Sequence, residues 1–200
     1  MSTTFTLTPD EQRLAEQYKT ELQKRLKPKR YHHSLCVADA AVRLAQQYGY
    51  PDLSKAYFAG LLHDITKNDS EQQHKSRMQQ YGYQPSDIEA GQEKLWHAKT
   101  GVLVLEHEFG ITDRELLTAI RYHTTARAGM TPLEEILYLA DFISDDRDYD
   151  GVQEMRQAAA QDKQTAMEIA LCFTITDLVE RRKPIHPDTL DAYNELCIKE

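Results

Sequence analysis

The chain has 200 residues, 40% of them hydrophobic and 28% charged, which suits one domain with a substantial core and excludes a disordered chain. Lys and Arg number 24 against 32 Asp and Glu, a net charge of −8, and a general nucleic-acid binder needs the opposite balance to neutralise phosphates. No apolar run approaches the ~18 residues of a membrane span, and the opening MSTTFTLTPDEQ lacks the apolar stretch of a signal peptide. The expectation is a cytoplasmic protein that contacts neither nucleic acid nor membrane. A small anionic ligand stays open, because a local basic cluster or a metal overrides the overall sign.

In chain order, Thr8-Pro9-Asp10-Glu11 predicts a helix start, with a Thr cap, Pro at the first position and Glu three residues after the cap. That helix runs to about Leu26, before Pro28. Between Arg30 and Tyr48, His33, Val37, Ala41, Leu44 and Tyr48 recur at helical steps, and Gly49-Tyr50-Pro51 ends the pattern. A third helix starts near Leu53 and carries Phe58, Leu61, Leu62 and Ile65. Residues 68–91 are polar and weakly patterned, one or two short helices with turns at Gly82 and Pro85. A helix from about Glu93 to Phe109 stops at Gly110. Thr112-Asp113-Arg114-Glu115 reads as a capping box for a helix reaching His123, and Thr131-Pro132-Leu133-Glu134 as another for a helix through about Ser144. Two more helices fit 151–160 and 162–182, and a break at Lys183-Pro184-Ile185-His186-Pro187 precedes a last one to Glu200. No β-type alternation of useful length and no internal repeat occurs, so the predicted class is all-α, a single-domain helical bundle. Cys36, Cys172 and Cys197 are odd in number with no CxxC pair, which indicates neither a disulfide framework nor a thiolate zinc site. They read as small core residues.

The informative features are charges inside apolar sequence. Leu61-Leu62-His63-Asp64-Ile65 sets a His-Asp pair in a core segment, and Ile136 to Ile143 is apolar apart from Asp141. A carboxylate in such surroundings costs several kcal/mol unless paired or coordinated. A helix cap or an ion pair is the plainer reading for either site alone, and Lys67 suits Asp64 for the latter. His33, His63, His97 and His123 fall on separate predicted helices, and each alone reads as a packed or exposed histidine. With Asp64 and Asp141 they form the ordered series H…HD…H…H…D, and imidazole plus carboxylate without thiolate is a ligand set for iron, manganese, zinc or cobalt. Other conspicuous residues carry less. His32 should face solvent, His74 and His107 sit in polar contexts without partners, and Trp96 reads as core. Asp145-Asp146-Arg147-Asp148 reads as a solvated loop, from which only Arg147 is singled out.

The series resembles the HD-domain metal-dependent phosphohydrolases. The words around it, Arg30-Tyr31-His32-His33-Ser34-Leu35, Leu61 to Lys67, Arg121-Tyr122-His123-Thr124-Thr125, Tyr138 to Ile143, Arg147-Asp148-Tyr149 and Ile185-His186-Pro187-Asp188-Thr189, resemble the bacterial YqeK branch from about Arg30 to Asn194. Two positions depart from it: Ala126 stands where the family tends to have Gly, and Asp150 where Pro usually precedes Gly151-Val152. The resemblance implies residues 1–29 as an N-terminal helix packed on an HD domain of residues 30–200. It implies symmetrical bis(5′-nucleosyl)-tetraphosphatase activity, in which diadenosine tetraphosphate and related dinucleoside tetraphosphates are split to two ADP, or to GDP-type products. It also implies an iron-type centre of one or two ions, with manganese, cobalt or zinc as substitutes, and a homodimer.

Carried over residue by residue, His33, His63, Asp64 and Asp141 are the implied metal ligands, with Asp64 placed to bridge to a second ion. His97 and His123 complete that second site or contact phosphate. On that reading the metal would acidify a water for attack on phosphorus and would offset charge on the equatorial oxygens. Asp64 and Lys67 are the expected catalytic residues, Lys67 acting as a point charge on a phosphate oxygen. Arg30 and Arg147 are expected to clamp phosphate and Thr124 to add a hydroxyl, while Ile185, His186, Pro187, Asp188 and Thr189 wall the nucleoside pocket. Two other readings compete: an HD-type nucleotidase acting on (deoxy)nucleoside monophosphates, and a non-catalytic nucleotide-sensing or assembly module. Loss of a ligand would mark the latter, and none of the six positions is lost.

Overall fold

The computed structural model describes residues 5–198, and among them there are eleven α-helices, one 3-10 turn and no strand. In order they are α1 (Pro9–Arg25), α2 (Pro28–Gln47), α3 (Leu53–Leu62), α4 (Glu71–Gln80), α5 (Asp87–Ala90), the 3-10 turn Glu93–Leu95, α6 (Trp96–His107), α7 (Arg114–Tyr122), α8 (Pro132–Ile143), α9 (Val152–Gln161), α10 (Lys163–Glu180) and α11 (Pro187–Ile198). None of these helices is long and apolar enough to cross a membrane.

The capping chemistry sets several starts. Thr8 accepts from the Glu11 amide while Glu11 reaches back to the Thr8 amide at 2.8 Å, and Thr131 with Glu134 repeats the arrangement on α8. Each box satisfies two amide donors that a helix N-terminus otherwise leaves free. Before α7 the cap is Asp113, one residue later than expected, and its carboxylate accepts from the Glu115 and Leu116 amides. An aspartate reaches two amides at once, so it outcompetes the Thr112 hydroxyl. The expected last helix to Glu200 is followed as far as Ile198; the final two residues lie outside the described part.

Helices α2, α3, α7 and α8 form the centre. α2 and α3 pack backbone to backbone: a Cβ on Gly60 would lie 2.6 Å from the Ala38 Cα and 2.8 Å from the Val37 carbonyl oxygen, both main-chain atoms. Ala38 and Ala41, both fully buried, keep the facing surface equally low. Only glycine permits that approach, and it brings the end of α3 beside the first turns of α2. α8 supplies the opposite wall with Leu133, Ile136, Leu137, Tyr138 and Leu139, all buried, and the Tyr138 hydroxyl meets Thr174 Oγ1 of α10 at 3.1 Å. α1 lies on α3 and α2 and buries Ala15 and Leu22.

Several expectations are corrected. His63 is the C-cap of α3, so the His-Asp pair stands on the turns after the helix rather than inside it. His74 is buried and meets Thr100 Oγ1 at 2.8 Å, while His107 stacks on Tyr81 with ring centroids 4.3 Å apart. Both therefore have partners. Cys172 and Cys197 are exposed and Cys36 is half-buried, because each falls on the outer side of its helix. His32 is exposed and Trp96 buried, as expected.

Candidate metal centre

Five elements deliver the His/Asp series to one place. α2 brings His33, the end of α3 brings His63 and Asp64, α6 brings His97, the end of α7 brings His123, and α8 brings Asp141. The rings form a chain around Asp64: His33 to His63 is 5.3 Å between centroids, His63 to His123 is 5.0 Å, and His123 to His97 is 5.0 Å. Three overlapping groups, His33/His63/Asp64, His63/His123/Asp141 and Asp64/His97/His123, each have ligand atoms within 4.8 Å of one another and can bind a divalent metal.

Hydrogen bonding at the outer nitrogens dictates which nitrogen faces inward. His63 Nδ1 meets the Gly60 carbonyl at 2.7 Å, His123 Nδ1 the Ile120 carbonyl at 2.7 Å, and His97 Nδ1 the Lys94 carbonyl at 2.8 Å. A carbonyl only accepts, so each Nδ1 carries a hydrogen, and in the neutral ring Nε2 keeps its lone pair. His33 does the same with a carboxylate, its Nδ1 donating to Asp146 Oδ2 at 2.9 Å. All four Nε2 atoms then point at Asp64 and Asp141. His33 Nε2 is 2.9 Å from Asp141 Oδ1, His97 Nε2 is 3.1 Å from Asp64 Oδ1, and His123 Nε2 is 3.7 Å from that same oxygen.

The cluster leaves polar atoms unmet. His63 Nε2 and Asp64 Oδ1 are buried and make no hydrogen bond among the described residues. His97 Nε2 and His123 Nε2 face each other at 3.1 Å. Two inward lone pairs at that distance repel unless a proton or a cation lies between them. A buried group without a hydrogen bond costs about 1–3 kcal/mol, so an imidazole nitrogen and a carboxylate oxygen in that state in one spot fit a divalent cation with nitrogen and oxygen ligands.

The electrostatics point the same way. Burial raises the Asp64 carboxyl, but the His63 ring and the Lys67 ammonium outweigh it and hold it well below the usual carboxylate range. Asp141 is likewise held low, burial being overcome by His33 and Arg147. Burial, with Lys67 nearby, pushes His97 down to about 3, and burial also lowers His123. Ionised carboxylates and neutral imidazoles are the coordinating forms. His63 differs: burial lowers it, but the Asp64 charge prevails and raises it.

Arg30 Nη1 donates to Asp64 Oδ2 at 2.8 Å from a position 34 residues away, so Asp64 has an arginine partner that chain spacing concealed. Lys67 Nζ lies 3.6 Å from Asp64 Oδ1 and 3.0 Å from His97 Nε2, so the ion pair considered from the sequence also forms. Arg147 donates through Nε to the Asp141 carbonyl at 2.7 Å and pairs with the Asp141 carboxylate through Nη2.

Beside the cluster lies a cavity of about 440 Å³ lined by Arg30, Lys67, Thr124, Thr125, His186 and Thr189, with Thr174 and Leu178 among the other lining residues. The Thr124 and Thr125 hydroxyls are buried and without a hydrogen bond among the described residues. Thr189 Oγ1 donates to the Thr125 carbonyl at 2.7 Å, and the Gln92 side-chain amide to the Pro184 carbonyl at 3.0 Å, tying the segment before α11 to the cavity rim. That segment gives Pro184 and His186 to the wall and the first turn of α11 gives Thr189, whereas Ile185, Pro187 and Asp188 do not line it. Arg147 does not line it either; its guanidinium is committed to Asp141. Sequence reading missed Gln92, Lys94, Leu95, Thr125, Thr174, Leu178 and Pro184 on this wall, and it missed Asp146. Nothing in their local sequence separates them from surface residues.

Ala126 follows the two threonines with φ 56° and is fully buried. That left-handed conformation is strained for a residue with a Cβ and free for glycine, which accounts physically for a glycine preference at this position. Gly151, after Asp150, has φ 95°.

A helical bundle that folds a buried H…HD…H…H…D cluster against a cavity has the architecture of an HD-type phosphohydrolase. Known proteins agree with it. The HD domain family matches residues 30–145. The chain is 37% identical to the symmetrical bis(5′-nucleosyl)-tetraphosphatase of Halalkalibacterium halodurans, over 86% of this chain and 90% of that one. It is 37% identical to the protein of the same name from Staphylococcus aureus, over 90% and 92%. A crystal structure described as a predicted HD superfamily hydrolase involved in NAD metabolism, from Clostridium acetobutylicum, superposes with a TM-score of 0.88 at 35% identity, covering 92% of this chain and 97% of that one. The chain belongs to the HD domain family, in the group of symmetrical bis(5′-nucleosyl)-tetraphosphatases.

Proposed function

We propose that this chain hydrolyses diadenosine tetraphosphate and related dinucleoside tetraphosphates symmetrically, with His33, His63, Asp64 and Asp141 holding a divalent cation, iron in the native protein. The observation that carries this reading is the pair of buried atoms without a hydrogen bond, His63 Nε2 and Asp64 Oδ1, inside a ring of inward-facing imidazoles, next to a cavity with basic and hydroxyl walls. A divalent cation in that ring supplies charge neutralisation for phosphoryl oxygens and acidifies water at neutral pH. The facing Nε2 atoms of His97 and His123, 3.1 and 3.7 Å from Asp64 Oδ1, would hold a second cation together with that carboxylate.

The remaining residues orient and neutralise. Lys67 presents its ammonium to the cavity and to Asp64 at once, which suits a phosphate oxygen beside the reacting centre. Arg30 anchors Asp64 and borders the same cavity, so one guanidinium both fixes the carboxylate and meets phosphate. The unpaired Thr124 hydroxyl faces where a phosphate or ribose oxygen would lie, and His186 and Thr189 close the nucleoside end. Arg147 keeps Asp141 ionised and directed at His33. In the reaction, a water oxygen forms a bond to the phosphorus second from one nucleoside. The central P–O–P linkage breaks, and two molecules of ADP leave. Metal analysis of wild type and Asp64→Ala, with product analysis from diadenosine tetraphosphate, tests the proposal. ADP as sole product supports it, whereas phosphate release from nucleoside monophosphates without cleavage of the dinucleotide supports a nucleotidase instead. Sedimentation of the purified chain tests the homodimer.

A further inference from the structure

The four site histidines meet the same requirement by two different routes. His63 and His123 cap the ends of α3 and α7, where the last-turn carbonyls have no intrahelical donor, and each ring takes one of them, Gly60 O or Ile120 O. His97 opens α6 and takes Lys94 O from the preceding 3-10 turn. His33 has no such option. It is six residues into a 20-residue helix, where the main-chain carbonyls around it are spent on the helix itself. Its Nδ1 therefore needs an acceptor from elsewhere in the fold, and Asp146, 113 residues away, provides it at 2.9 Å.

We propose that Asp146 is a positioning residue of this centre: its carboxylate fixes the ring orientation and tautomer of His33 so that the Nε2 lone pair faces the cluster. The inference rests on the reading of the cluster as a cation site. Asp146 is itself held for the task. Its other oxygen, Oδ1, accepts from Ser144 Oγ at 2.8 Å, and Ser144 is completely buried at the end of α8. Arg156 donates to the Ser144 and Arg147 carbonyls at 2.8 and 3.1 Å, which pins the 144–147 turn to α9. That turn also delivers Arg147 to Asp141. One short segment thus orients the imidazole of His33 from behind and the carboxylate of Asp141 from beside it. An acidic partner behind a ligating imidazole also strengthens the ligand as a base, and such outer partners are typically worth ~10–100-fold in metal affinity.

The test measures Zn²⁺ and Mn²⁺ affinity by chelator competition for wild type, Asp146→Ala, Asp146→Asn and Ser144→Ala. Alongside it, the imidazole Nδ1–H resonance of His33 is recorded in the Zn²⁺-loaded protein. Asp146→Ala is expected to lose that hydrogen-bonded proton signal and to bind both metals ~10–100-fold more weakly. Asp146→Asn should fall between it and wild type, and Ser144→Ala should weaken binding least because the carboxylate stays within reach. If Asp146→Ala does not fold, Asp146→Asn carries the same comparison. Wild-type affinity with an unchanged Nδ1–H signal in the Asp146 variants would overturn this inference alone. A wild-type protein that binds neither metal would overturn the metal-centre reading, and this inference with it.

Discussion

Two buried carboxylates, Glu134 and Asp64, share a degree of burial and an arginine partner, and differ in what meets their second oxygen. Glu134, fully buried on α8, accepts Arg127 Nε at 2.6 Å and Nη2 at 2.8 Å in a two-pronged pair, and its second oxygen also takes the Thr131 amide at 2.7 Å. Every bond it needs is made within 7 residues of chain. Asp64, 2% exposed, takes Arg30 on one oxygen and leaves the other without a hydrogen bond, with the Lys67 ammonium 3.6 Å off, while three imidazole Nε2 atoms crowd within 3.7 Å of the carboxylate. A saturated buried charge holds the fold together; an unsaturated one marks the place where the fold expects something else to bind.

That contrast can be broken at either end. Asp64→Ala should cause the largest change, a loss of bound metal and a fall in turnover exceeding the ~10–100-fold typical of an outer-shell partner, with the helical fold retained. Metal analysis and circular dichroism check both halves, and a variant with full metal content would show that Asp64 is as structural as Glu134. Arg127→Ala should do the reverse. It strands Glu134 without its partner and should cost about 3 kcal/mol, the low end for a broken buried pair because Arg127 is 28% exposed. Thermal unfolding should then drop by roughly 6–12 °C, while bound metal per folded molecule stays at the wild-type level.

Glu89 sharpens the saturated side. It accepts Tyr83 OH at 2.9 Å, the Ser86 amide at 3.0 Å and Arg121 Nη2 at 3.2 Å, with Lys99 Nζ 3.3 Å away. Burial raises its carboxyl, but these donors outweigh burial and bring it below its ordinary 4.5. A folded value below the unfolded one means a stabilising contribution that is complete above pH 4.5 and disappears as pH falls through the folded value. The stability difference between wild type and Glu89→Gln should therefore be constant near neutrality and shrink in acid; denaturant unfolding at several pH values measures it. The smallest effect is expected at Ala126. Glycine there removes about 1 kcal/mol of left-handed strain but gives up roughly 0.8 kcal/mol of buried methyl, so Ala126→Gly should unfold within ~0.5 kcal/mol of wild type. Ala126→Val, β-branched at a positive φ, should be clearly less stable than either.

Much of the site could be read before folding because the ligand types interrupt apolar sequence. His63-Asp64 after Leu61-Leu62 and Asp141 after Leu139-Ala140 stand out against neighbours that are fully buried. The supporting partners could not be read this way. Arg30, Asp146 and Thr125 sit among polar or ordinary neighbours, and their importance arises from contacts made 34, 113 and 64 residues away in the chain. Asp146 looked like one more charge in a solvated run until α8 and α2 came together. The supposed isolation of His74 and the core placement of Cys172 failed for a related reason, since local polarity does not say which neighbour a helix face will meet.

From residue order alone came the helical class, the caps at Thr8 and Thr131, and the six-member His/Asp series, because periodicity, cap chemistry and a charge in an apolar stretch are local properties. Folding decided which nitrogen of each imidazole faces inward, which arginine meets which carboxylate, and which wall residues border the cavity. Those outcomes depend on the backbone approach at Gly60 and on helix ends that leave carbonyls free for some histidines and not for His33, distances between distant segments that no short stretch of chain encodes.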